Sequence, residues 1–192
     1  MLLAGGYFIY SNIQSVVAPT TIQVDTSRTS VIQEIKELQR LETAQFTIEK
    51  VIEAKTNGNV FEEVLYGDKI LLIAHGKVIA GIDFSQITED SIQIEGEKIS
   101  FTLPPAELFF TNLDEGQTKV YDRTQGLLSK GNKDLETTAR QQASETIKKA
   151  ACEGGILNEA TDNAKKQLTA LLQRFGFQQV EVLTQASQKG CS

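Results

Sequence analysis

Cysteine and histidine are scarce in this chain: two cysteines, Cys152 and Cys191, and one histidine, His75, in 192 residues. That excludes a disulfide scaffold and a four-ligand zinc site. Basic residues are outnumbered, 19 to 25, and the net charge of −6 argues against the basic face that a nucleic-acid-binding protein needs. Positive charge is absent before Arg28, so the basic opening of a secretory signal is missing. What remains is ordinary globular material, 40% apolar and 23% charged. A chain of this length fits one domain, or one domain plus an anchor, and can bury roughly 70% of its extended surface.

The first ten residues, MLLAGGYFIY, are apolar and uncharged. A bilayer span needs about 20 such residues, and this run supplies half of one. Two readings fit. In one, Leu2, Leu3, Tyr7, Phe8, Ile9 and Tyr10 are the end of a membrane anchor, the aromatics suiting a bilayer edge. In the other they are an ordinary amphipathic start. With an anchor, the lack of Lys or Arg from Ser11 to Ser27 disfavours a cytoplasmic position for the rest of the chain. The folded part would then face outward; a cytoplasmic location is the alternative. Residues 11–27, rich in Ser, Thr, Val and Gln, read as a tether.

Ser30 to Gln33 has the spacing of a capping box, and Val31, Ile35 and Leu38 recur at helical period. From Leu41 the period changes to two, with Ala44, Phe46 and Ile48 alternating with polar residues. Val60 to Tyr66 reads as a second strand. Ile70 to Ala74 is apolar at every position, predicting a central strand buried on both faces. A turn is expected at Gly76-Lys77, with Val78 to Phe84 returning. Ile92 and Ile94, the turn Glu95-Gly96-Glu97, then Ile99, Phe101 and Leu103 form the clearest hairpin. Leu108 to Leu113 and Thr118 to Tyr121 read as a further pair around Asp114-Glu115-Gly116. After Gly131 the period is helical for about forty residues. Asp134 is the expected N-cap, and Leu135, Ala139, Ala143, Ile147 and Ala151, then Leu157, Ala160, Ala164, Leu168, Leu171 and Phe175, make an alanine-rich stripe. Gly154-Gly155 should break it, and Gly176 should close it before a last strand through Val180 and Val182. A sustained heptad with Leu or Ile at both seam positions is lacking, so packing on the chain's own sheet is expected over a coiled coil.

Candidate chemistry is thin. His75 is a candidate general base, because histidine is the residue type suited to proton transfer near neutral pH, yet no serine or cysteine is placed by the sequence as its partner. Gly126 to Lys133 has the glycine spacing of a phosphate-binding loop, but Asn132 stands where that loop needs its lysine. Asp83, Asp114, Glu115 and Asp122 are candidate metal ligands in acidic turns that also contain Glu89 and Asp90, without the spacing of a calcium loop. Asp122-Arg123 reads as a structural pair near the strand-to-helix transition. Cys152 is expected to be a small buried thiol and Cys191 to lie in a mobile tail. A disulfide between them suits an oxidising compartment but depends on a distance that sequence does not supply.

Ile79-Ala80-Gly81-Ile82-Asp83, Val120-Tyr121-Asp122-Arg123, and the run from Ala139-Arg140-Gln141-Gln142-Ala143 through Gly155-Ile156-Leu157 to Gly176-Phe177 and Val182 occur in this order. In that combination the chain resembles the family named as domain of unknown function 4230, over about residues 35 to 184. The resemblance implies a bacterial protein with one amino-terminal membrane helix and a soluble α+β domain. It carries over no catalytic residue and no cofactor. The expected organisation is a partial anchor and tether over 1–27, a single α+β domain over 28–184 and a tail over 185–192. The expected fold is a mixed, largely antiparallel sheet of about six to eight strands covered by two long alanine-rich helices. The leading functional expectation is a non-catalytic, membrane-associated scaffold or interaction domain of the cell envelope, binding the membrane through its amino end and a protein partner or further copies of itself. A small-molecule or metal-binding envelope protein using the acidic turns is the alternative, and a hydrolase centred on His75 or the carboxylates a third.

Overall fold

The computed structural model describes residues 27–56, 58–185 and 191. The expected anchor and most of the tail lie outside these. Helix α1 (Arg28–Glu37) starts earlier than the spacing predicts: Ser27 is the N-cap, its hydroxyl accepting from the Ser30 amide. Val31, Ile32 and Ile35 form its buried face.

Strands β1 (Arg40–Lys55) and β2 (Asp68–Asp83) form a long antiparallel hairpin, in register from Arg40 opposite Asp83 to Lys55 opposite Lys69. At about 3.3 Å per residue each strand is roughly 50 Å long. One bulge interrupts the ladder at Thr43, between Glu42 and Ala44. There the Thr43 hydroxyl donates to the Ala160 carbonyl, and the Thr43 carbonyl accepts from the Asn163 side chain.

The turn expected at Gly76-Lys77 does not exist; β2 runs straight through. Gly76 is there because a helix presses on it, and a Cβ at that position would lie 2.8 Å from the Ile147 methyl. Along β2, Ile70, Leu72, Ala74, Val78, Ala80 and Ile82 are buried on one face, while Lys69, Leu71, Ile73, His75 and Lys77 alternate on the other. The strand is central, as expected, but Leu71 and Ile73 are only half-buried.

The predicted pairing of Leu108–Leu113 with Thr118–Tyr121 is also corrected. Strands β5 (Glu107–Leu113) and β6 (Lys119–Gln125) do not pair with each other. They lie end to end along one edge of β2, β5 on Gly76–Gly81 and β6 on Asp68–Ile73. The residues between them loop out opposite His75. The Asp114 amide donates to the His75 carbonyl, and the Thr118 hydroxyl donates to that carbonyl and accepts from the His75 amide. A side chain thus replaces the missing rungs of the ladder.

Strands β3 (Ile92–Glu95) and β4 (Lys98–Leu103) make the expected hairpin, and β7 (Gln179–Thr184) adds in parallel on the other side of β4. Helices α3 (Leu135–Glu153) and α4 (Ile156–Arg174) are divided where the glycine pair predicts, with Gly155 at φ +81°. Asp134 precedes α3 without a side-chain capping bond; its carbonyl accepts from Thr138 instead. The stripe faces inward: Ala139, Ala143, Ala151, Ala160 and Ala164 are fully buried. Their small side chains let α3 and α4 approach β1 and β2 closely, and α4 also packs on β7, joining the two sheets. One continuous core results, running from α1 through Phe84 and Phe101, which meet edge to face, to Leu172 and Phe177. The protein is α+β, with mixed but mostly antiparallel sheets under two alanine-rich helices.

Cys152 is not a free thiol. It is disulfide-bonded to Cys191, with Cα atoms 5.7 Å apart, so the penultimate residue is held at the end of α3. Among the described residues, no helix is long and apolar enough to cross a membrane.

Candidate functional site

The segment joining β1 to β2, expected to be a strand, is a helix, α2 (Val60–Tyr66). Its start is fixed locally. The Asn59 side chain accepts from the Phe61 and Glu62 amides, and the Glu62 carboxylate accepts from the Asn59 amide. This reciprocal box satisfies free amides that a strand would send to a neighbour, and it overrides the strand propensity of Val, Phe and Tyr. No residue of α2 is buried.

The far end of α2 is clamped to the loop after β6. The Leu127 amide donates to the Val64 carbonyl, Leu128 to Leu65, and Gly126 to Gly67. A Cβ on Gly126 would sit 2.7 Å from the Leu65 backbone, so this approach requires glycine. The outcome is a protruding tip at one end of the long hairpin. Val60 is 81% exposed, Phe61 76% and Leu127 83%; Val64, Tyr66 and Leu128 are each more than half exposed.

Beneath the tip lies an ion pair built on a buried carboxylate. Asp68 is 2% exposed. Arg123 donates to both its oxygens, from Nε at 3.0 Å and Nη2 at 2.6 Å, and the Asn132 amide donates at 2.6 Å. Arg123 also donates to the Asn132 carbonyl. These hydrogen bonds from Arg123 hold the Asp68 carboxyl below its ordinary range against the opposing effect of burial, and the same pairing raises Arg123. The glycine-containing loop that resembles a phosphate cradle therefore closes over an internal carboxylate instead. A cleft of about 330 Å³ lined by Thr56, Tyr66, Asp68, Leu128, Lys130 and Asn132 runs between the clamp and the tip. At the hairpin's other end an apolar groove of about 310 Å³ is lined by Leu38, Leu41, Leu168 and Leu171, with Arg174 at its rim.

The residues singled out from sequence are dispersed. His75 lies on the open sheet face, its Nε2 3.0 Å from the Glu49 carboxylate on the paired strand. Asp83 ends β2 and accepts from the Ser85 amide, 3.9 Å from Arg40. Asp114 accepts from the Gly116 and Gln117 amides and the Gln117 side chain, and that side-chain bond is the main reason its carboxyl is lowered. Glu115 pairs with Arg140 at 2.7 Å. Asp122 accepts from Thr124 rather than pairing with Arg123. Asp83 and Asp122 stand about twelve residues apart along β2, roughly 40 Å. Among the described residues, no three His, Cys, Asp or Glu side chains gather as a cation site.

Sequence reasoning missed the tip and Asp68. The Asn59-x-x-Glu62 spacing, the signature of a helix start, is the signal that could have placed α2.

A family described as "Protein of unknown function (DUF4230)" matches residues 33–182. The chain belongs to this family. The match takes in the four-stranded sheet, all but the last two residues of the other sheet, all of α2, α3 and α4, and the loop that completes the tip. No curated protein and no solved structure matches the chain.

Proposed function

We propose that this chain is a non-catalytic interaction or scaffold domain, held at a membrane of the bacterial cell envelope with its folded part on the extracytoplasmic side. The observation that carries the reading is the apolar tip. Six large apolar side chains stand in water on a backbone fixed by capping and cross-loop hydrogen bonds, where an isolated domain would gain stability by burying them. Two further features support it. The uncharged, apolar start of the chain suits a bilayer. The Cys152–Cys191 bond suits an oxidising compartment, since cytosolic thiols are kept reduced.

The test is topology in cells. With the gene expressed from its longest upstream start, the protein is expected in the membrane fraction and digested by protease added to spheroplasts. Its cysteines should resist maleimide until a reductant is added. A soluble, protease-protected protein with two free thiols would overturn the proposal.

A further inference from the structure

We infer that the tip formed by α2 and residues 126–133 is a lipid-docking surface that inserts its apolar side chains at the interface of an anionic bilayer. This rests on the membrane reading above and adds the site, the side chains and the headgroup charge.

Shape is the first argument. Val60, Phe61 and Leu127 are about four-fifths exposed, which describes a protrusion and not a groove. A protein partner would need a matching concavity, whereas a bilayer interface accepts a convex apolar surface without one. The second argument is backbone satisfaction. Within an apolar medium each unpaired amide or carbonyl is costly. At the tip, the Asn59, Phe61 and Glu62 amides are bound by side chains, and the Val64 and Leu65 carbonyls accept from Leu127 and Leu128. The patch can therefore leave water with few unmet polar groups.

Charge is the third. Two of the acidic groups around the tip are ion-paired, Glu63 at 3.5 Å from Lys55 and Asp68 with Arg123, and the third, Glu62, accepts from the Asn59 amide at the start of α2. Lys130 and Lys133 are exposed on the adjoining loop with no ion pair among the described residues, against Asp134 alone. On an otherwise acidic molecule the loop beside the apolar surface thus offers two exposed cations to an anionic headgroup, and Phe61 and Tyr66 are residue types that favour the headgroup level.

The chain contains no tryptophan, so Phe61→Trp places the sole indole at the tip. Leu183→Trp on β7 is the control, half-exposed and on the other sheet. Full-length protein is mixed with phosphatidylcholine vesicles containing a quarter phosphatidylglycerol, with and without brominated acyl chains. The Phe61→Trp emission should shift to the blue and be quenched several-fold more than that of Leu183→Trp. Lys130→Gln and Lys133→Gln should each weaken the binding of anionic vesicles about fivefold and leave binding to pure phosphatidylcholine unchanged.

If the protein pellets with vesicles while the tip indole is not quenched, the membrane reading survives and the tip inference fails. If the protein does not pellet at all, both fail. A blue shift that grows with protein concentration in the absence of lipid would mean that a second copy covers the tip, and would overturn the assignment to lipid. Equal binding to neutral and anionic vesicles would overturn its headgroup charge.

Discussion

Asp68 shows how one carboxylate can organise the end of a molecule. It sits at the first position of β2, and its ligands come from β6 and from the loop leading into α3, so three segments meet on one charge. Asp68→Asn removes that charge and leaves Arg123 facing an amide; the melting temperature should fall by about 5–10 °C in a thermal scan at pH 7. The pH dependence has a definite sign. The folded carboxyl is lowered from the ordinary 3.8, so folding releases its proton and the stabilisation is fully present above that value. It is lost as pH falls through the lowered folded value. Urea titrations should therefore show the wild type ahead of Asp68→Asn at pH 7 and converging with it below about pH 4. A gap unchanged at pH 3 would mean that the charge is not what stabilises the clamp. Arg123 was legible as a structural residue, but its partner lies 55 positions earlier and reads locally as the end of a turn. Ion pairs between distant segments leave no periodic trace.

Elements whose pattern is repeated along their own length were readable: the alternation of β1, the β3–β4 hairpin, and the alanine stripe broken at Gly154-Gly155. Elements decided by a single neighbour were not. Gly76 looks like a turn because glycine makes turns, yet here it makes room for Ile147. Gly76→Val should accordingly destabilise the protein by about 1–3 kcal/mol through overpacking against α3, with Ile147→Ala in the same chain recovering part of the loss. Chemical denaturation of the single and double variants checks this, and additive losses would separate the two residues. The loop between β5 and β6 misled for a similar reason. An Asp-Glu-Gly sequence promises a hairpin, while Thr118 and the His75 backbone turn it into an excursion from one edge. For α2, the capping box decides over propensity. Asn59→Ala should speed amide exchange at Phe61 and Glu62 while amides in the centre of β2 keep their protection.

At the scale of the whole molecule, fold class was legible because it follows from counting periods; the functional surface was not, because exposed and buried apolar residues look the same in a sequence. The disulfide belongs to this scale too. It closes a loop across 39 residues and encloses α4 and β7. Chain-entropy arguments give it up to about 4 kcal/mol, so Cys152→Ser or a reductant should lower the melting temperature by roughly 10 °C, with little change in the far-ultraviolet spectrum at 25 °C. Equal melting with and without reductant would show that the bond constrains nothing.

The long hairpin also acts as a strut. Its open end, where Arg40 faces Asp83, adjoins α1, because the Phe84 amide donates to the Gln39 carbonyl just after that helix. Its closed end carries the tip. The chain ahead of α1 therefore joins the molecule about 50 Å from the surface that α2 presents. Whatever the tip touches is therefore kept one hairpin's length from the face beside α1, as the two ends of a ruler are kept apart.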